Sequence, residues 1–232
     1  MKKALSILAC AMLVPLLSSP AWADDDAAYS ANAVGVVKYE IPAEGGFTCI
    51  TLPLEPIGGG DAWLWSETTL AQQLPNGSYV YFWDSINSKW EPSWKFKNKW
   101  QGLGQTQTVA VGEAIFIRSA TTAAAQQISL LGELPTDPTM PLTVTGSSNF
   151  DTIGVTPYPV EVPFASSALA SNLPNNSYVY FWQNNKWEPS WKFKNKWQGL
   201  GASWTNKVGQ GMFVRSAATA PTTINITRPF EW

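Results

Sequence analysis

The sequence predicts an all-β chain, built as two tandem small β-sandwich or barrel-like repeats that each carry one short helical turn. Three observations predict it. The sixteen residues Lys89 to Gly104, KWEPSWKFKNKWQGLG, return without a change at Lys186 to Gly201, so the chain repeats itself. Thirteen tryptophans, seventeen prolines and seventeen glycines in 232 residues leave little room for long helices and supply many turns. Inside the repeated stretch Trp94, Phe96, Asn98 and Trp100 alternate with Lys95, Lys97 and Lys99, which is the period-two patterning of a strand.

Taken in order, residues 1–23 read as an export signal. Lys2 and Lys3 precede an apolar run from Ala4 to Leu17, and Ala21-Trp22-Ala23 supplies a cleavage pattern. The expected mature chain starts at Asp24 and is secreted, periplasmic or extracellular, with no further membrane-spanning segment. Cleavage would leave 13 Lys and Arg against 17 Asp and Glu, a formal charge of −4 in place of −2. That balance argues against a nucleic-acid partner. Only Cys49 remains after cleavage, which excludes an internal disulfide and leaves packing to hold the fold.

Residues 24–134 form the expected first repeat, 135–149 a linker and 150–232 the second repeat. Val34 to Ile41 and Phe47 to Leu54 read as strands closed by Pro42, Gly45-Gly46 and the run Gly58-Gly59-Gly60. Leu70 and Leu74, four apart behind Ser66 as a cap, predict a short helix, as do Leu169 and Leu173 behind Ser166. Pro75-Asn76-Gly77 and Pro174-Asn175-Asn176 then turn the chain into the strand YVYFW at Tyr79 and at Tyr178. The repeated stretch follows, read as one alternating strand with Trp94, Phe96, Asn98 and Trp100 on one face and Lys95, Lys97 and Lys99 on the other. Val111 to Ala120 and Val208 to Ala217 are the next strands, and Gln127 to Leu134 and Thr223 to Arg228 close each copy.

Four stretches in this order, ANAVGVVKYEIPAEGGFTCI, LPNGSYVYFW, VGEAIFIRS and LLGELP, resemble a group of mostly uncharacterised secreted two-repeat β-proteins of Verrucomicrobia-type bacteria. The chain departs from that group at Val111 to Phe116, where the group often has Pro-Gly-x-Gly-Phe-Phe, and Gly209 to Phe213 is closer. The resemblance implies a secreted β-repeat fold and brings no ligand, cofactor or catalytic residue.

The residues offer little chemistry for an enzyme. Histidine is absent, so His-based triads and metal sites are excluded. Of the carboxylates near the repeat, only Glu91 recurs, as Glu188. The lysines serve either an anionic surface or, as the favoured reading, a solvated strand edge that resists further pairing. The tryptophans exceed what a small core needs. Flat aromatic faces stack on sugar C–H faces while amides and carboxylates bind hydroxyls. The expected function is non-catalytic carbohydrate binding, of a glycan or polysaccharide, through Trp90, Glu91, Trp94, Phe96, Asn98, Trp100 and Gln101 with Trp187, Glu188, Trp191, Phe193, Asn195, Trp197 and Gln198. The alternative is a structural subunit of a surface layer, matrix or filament, self-associating through the same residues. No cofactor or metal is expected.

Overall fold

The structure is a computed structural model that describes residues 33–231. The export-signal reading at residues 1–23 lies outside the described residues. Among the described residues the fold is all-β, with several separate sheets and two short helices. None of the sheets closes into a barrel.

The first half runs β1 (Val34–Ile41), β2 (Phe47–Thr51), β3 (Ala62–Leu64), α1 (Thr69–Gln73), β4 (Tyr79–Asp84), β5 (Lys89–Phe96), β6 (Lys99–Gln101), β7 (Thr108–Ala110), β8 (Ala114–Arg118) and β9 (Gln126–Glu133). The second runs β10 (Thr139–Val144), β11 (Phe150–Gly154), β12 (Val162–Pro163), α2 (Ala168–Asn172), β13 (Tyr178–Gln183), β14 (Lys186–Phe193), β15 (Lys196–Gln198), β16 (Thr205–Asn206), β17 (Gly211–Arg215) and β18 (Thr222–Thr227). The sheet orders match element for element. One five-stranded antiparallel sheet runs β2-β8-β4-β5-β6 and the other β11-β17-β13-β14-β15, while the ribbons β1-β9 and β3-β7 answer to β10-β18 and β12-β16. The stretch 135–149, expected as a linker, therefore contains β10, the counterpart of β1. Its alternation was masked because Pro141 interrupts it on the exposed side.

One face of each large sheet is core. Val80 and Phe82 of β4, Ile115 and Ile117 of β8, and Trp100 of β6 are buried there with Leu70 and Leu74 beneath α1. Each helix is capped at its start by a residue later than the expected serine. Thr68 Oγ1 accepts from the Ala71 amide and Ser167 Oγ from the Ala170 amide, both at 3.0 Å. Ser66 and Ser166 sit one turn earlier, in 3-10 turns that precede the helices.

The halves meet across a reciprocal junction. Trp83 Nε1 donates to the Phe150 carbonyl at 2.7 Å, and its counterpart Trp182 Nε1 donates to the Phe47 carbonyl at 3.0 Å. The Thr51 amide donates to Gly209 O and the Gly154 amide to Gly112 O, each at 2.8 Å. Rings interlock between them: Phe213 packs on Trp83 at 4.9 Å and Trp90 at 5.3 Å, and Phe116 on Trp182 at 4.7 Å and Trp187 at 5.5 Å. Gly209 is required by close approach, since a Cβ there would lie 2.5 Å from the Tyr39 ring. Among the described residues, no helix is long and apolar enough to cross a membrane.

Candidate functional site

The repeated sixteen residues do not form one strand. Lys97 and Asn98 both adopt left-handed backbone, at φ 48° and 60°, and so do Lys194 and Asn195 at 49° and 60°. Two consecutive left-handed residues make the tight turn whose twist suits a hairpin. The chain reverses there, and Lys95 comes to face Trp100 while Phe96 faces Lys99 and Trp94 faces Gln101. The asparagine is fixed from outside, because the Asn98 amide donates to Asn76 Oδ1 at 2.7 Å, as Asn195 does to Asn175.

This reversal corrects the expected faces. Trp100 and Trp197 lie with the lysines of position 95 and 192 on the buried side, only 4% and 7% exposed. Their indole N–H groups donate to the carbonyls of Ala71 and Ala170. They are core residues, and Asn98 and Asn195 are turn residues. Lys95 and Lys192 are buried rather than solvated. Lys95 Nζ donates to the carbonyls of Ala71, Gln72 and Leu74 at 2.9, 2.9 and 2.7 Å, closing the C-terminal end of α1, and Lys192 does the same for α2. A cation there answers the unpaired carbonyls of the helix end. Burial lowers the pKa of both lysines from the usual value.

Trp90 and Trp187 are also removed from the open surface, since they pack into the junction against Phe213 and Phe116. Glu91 and Glu188 lie on the opposite side of the strand from Trp90 and pair with Lys89 and Lys186 at 2.6 Å. The expected platform thus divides among core, junction, turn and surface.

What remains outward is a ledge, and it is wider than the expected strand. Strand register aligns Phe47, Arg118, Tyr79, Trp94 and Gln101, one residue from each of the five strands, in a row across the sheet. At ~4.8 Å between strands this row extends about 19 Å. Phe96 and Lys99 add a second step beside it. The second sheet carries Phe150, Arg215, Tyr178, Trp191 and Gln198 in the same row, with Phe193 and Lys196 beside it. Trp94 and Phe96 are 43% and 56% exposed, and Trp191 and Phe193 are 42% and 52% exposed. The Arg118 guanidinium lies over the rings of Phe47 and Tyr79 at 5.6 and 5.7 Å, and Arg215 over Phe150 and Tyr178 at 5.9 and 5.7 Å. Lys97 Nζ stands 5.4 Å from the Phe96 ring centre and Lys194 Nζ 5.3 Å from that of Phe193.

Sequence reasoning found Trp94, Phe96, Gln101 and their counterparts. It missed Phe47, Tyr79 and Arg118 with their counterparts Phe150, Tyr178 and Arg215, which lie on other strands and join the ledge only through register. The shared Arg-Ser-Ala ending of Val111 to Ala120 and Val208 to Ala217 marks Arg118 and Arg215 as repeated, but nothing local places them in the row with Trp94 and Trp191. Comparison with known protein families, with curated proteins and with solved structures gave no match.

Proposed function

We propose that this is an exported, non-catalytic carbohydrate-binding protein that holds a glycan or polysaccharide on its two ledges. One observation carries the reading. Within the repeated sixteen residues most identities have a structural duty: Ser93 accepts from the Gly104 amide, Lys95 closes α1, Asn98 makes the turn and Trp100 fills the core. Trp94 and Phe96 have none of these duties and stand exposed in both copies. Large aromatic rings exposed two residues apart on one face of a strand suit stacking on sugar faces, and Gln101 beside them suits hydroxyls.

Two equal ledges on one chain would raise avidity for a polymer without any new contact. The test is retention on a panel of insoluble neutral and acidic polysaccharides, comparing the natural chain with a Trp94→Ala/Trp191→Ala double variant. The reading expects at least one polysaccharide to retain the natural chain and release the variant. Retention by none, or equal retention of both proteins, overturns it. Concentration-dependent assembly that the double variant loses, without retention on any polysaccharide, would instead assign the ledges to contacts between subunits of a surface layer or matrix.

A further inference from the structure

Resting on the carbohydrate reading, we propose that the ledges select an anionic polysaccharide, one that carries carboxylate or sulfate groups along its chain. Each ledge sets an arginine in the middle of its aromatic row. Arg118 lies between Phe47 and Tyr79, its guanidinium carbon 5.6 and 5.7 Å from their ring centres, with its Nε donating to Gly45 O at 3.4 Å. A guanidinium held beside aromatic rings keeps N–H groups for a planar anion, which it binds in a two-pronged fashion. No carboxylate answers it: among the described residues the ion pairs are those of Lys89 with Glu91 and Lys186 with Glu188. Arg215 stands in the same position between Phe150 and Tyr178.

The cations continue along the same edge. Lys97 lies over Phe96 and Lys99 faces Phe96 across the hairpin, and Lys194 and Lys196 repeat this around Phe193. Each ledge therefore offers three cations beside half-buried and exposed rings, in a chain whose formal charge is −2. Cations concentrated on the aromatic ledges of a net acidic protein make a local field that the whole molecule lacks. A polymer stacked on Trp94 would carry one flanking residue toward Arg118, two strands and about 10 Å away across Tyr79, and another toward Lys99. An acid group on a residue that reaches either cation adds a charge-assisted contact that a neutral sugar lacks.

The experiment compares binding to polygalacturonate, dextran sulfate and unmodified dextran, using the whole natural chain and an Arg118→Gln/Arg215→Gln double variant. The proposal expects binding to the two acidic polymers that weakens with rising salt, weak binding to dextran, and about a tenfold loss of acidic-polymer affinity in the variant. Circular dichroism of the variant checks that it folds, and Lys99→Gln/Lys196→Gln provides a second variant at fully surface positions. Equal binding to dextran and the acidic polymers, or acidic-polymer binding that neither variant weakens, overturns the anionic selection while leaving carbohydrate binding standing. Binding to no polymer of either kind overturns the function itself.

Discussion

Lys95 and Lys192 are each held by three main-chain carbonyl oxygens at the end of a five-residue helix. A helix this short is not stable by propensity, so tertiary contacts must close it. Lys95→Met keeps the aliphatic stem and removes the donors, leaving buried carbonyls unanswered. It should destabilise the protein by about 2 kcal/mol or more, read by chemical denaturation. Lysines merely solvated on a strand edge would give no measurable change. Glu113 offers a second residue-scale contrast. Its Oε2 accepts from the Ala110 amide at 3.0 Å, and at the same place in the second repeat Gln210 Oε1 accepts from the Lys207 amide at 3.2 Å. Burial raises the Glu113 pKa above its ordinary 4.5. A raised carboxyl adds stability below its unfolded value and loses it as pH climbs through the folded value. Glu113→Gln, which copies Gln210, should therefore be more stable than the natural chain at neutral pH and lose that advantage as pH falls toward 4.5. A stability difference that stays flat with pH would contradict the burial of this group.

At the scale of elements, the two edge ribbons differ in a way their sequences explain. The Leu134 amide donates to Ala33 O, which fixes Gly35, Val37, Tyr39 and Ile41 as the residues of β1 that bond to β9. Val34, Val36, Lys38 and Glu40 then turn their amides to the open side. On the far side of the ribbon, α1 covers the β9 edge: the Ser129 and Leu131 amides donate to Gln73 Oε1 and Thr69 Oγ1. Hydrogen exchange should show slow amides at Val37 and Tyr39 and fast ones at Val36 and Lys38; uniform protection along β1 would refute the register. The equivalent open position in β10 is Pro141, which has no amide to offer. Strand identity was legible in YVYFW from its aromatic and β-branched residues although both faces are apolar, and Val80 and Phe82 are buried while Tyr79 and Tyr81 are half-exposed. The hairpin was not legible because Lys-Asn lacks the glycine that usually marks such a turn, and the residues on both sides of it continue the alternation. Half of the ledge followed from the repeated stretch. Tyr79 and Arg118 could not, because cross-strand register depends on the packed sheet and leaves no local trace.

Over the whole molecule, the reciprocal junction should couple the two halves into one cooperative body. Each half contributes a tryptophan N–H to the other's backbone and a phenylalanine to the other's tryptophan pair, so neither half completes its aromatic cluster alone. Cys49 lies in this cluster beside Phe116, and its burial raises the thiol pKa well above the ordinary range and keeps it unreactive. Urea unfolding followed by tryptophan fluorescence and by far-ultraviolet circular dichroism should give coincident single transitions. The slope of stability against urea should be that of a body of both halves, since the slope scales with the surface exposed on unfolding. Replacing Phe116 and Phe213 by alanine removes a ring from each side of the junction, at about 3–5 kcal/mol for each large buried ring. Each half keeps its own core beneath its five-stranded sheet, built around Trp65 and Leu70 in one and Phe164 and Leu169 in the other. The double variant should therefore lose coupling before it loses fold, and its transition should broaden or split with a shallower apparent slope. Separate transitions in the natural chain, or an unchanged slope in the double variant, would mean that the aromatic junction does not couple the halves and that the two ledges are presented on independent bodies.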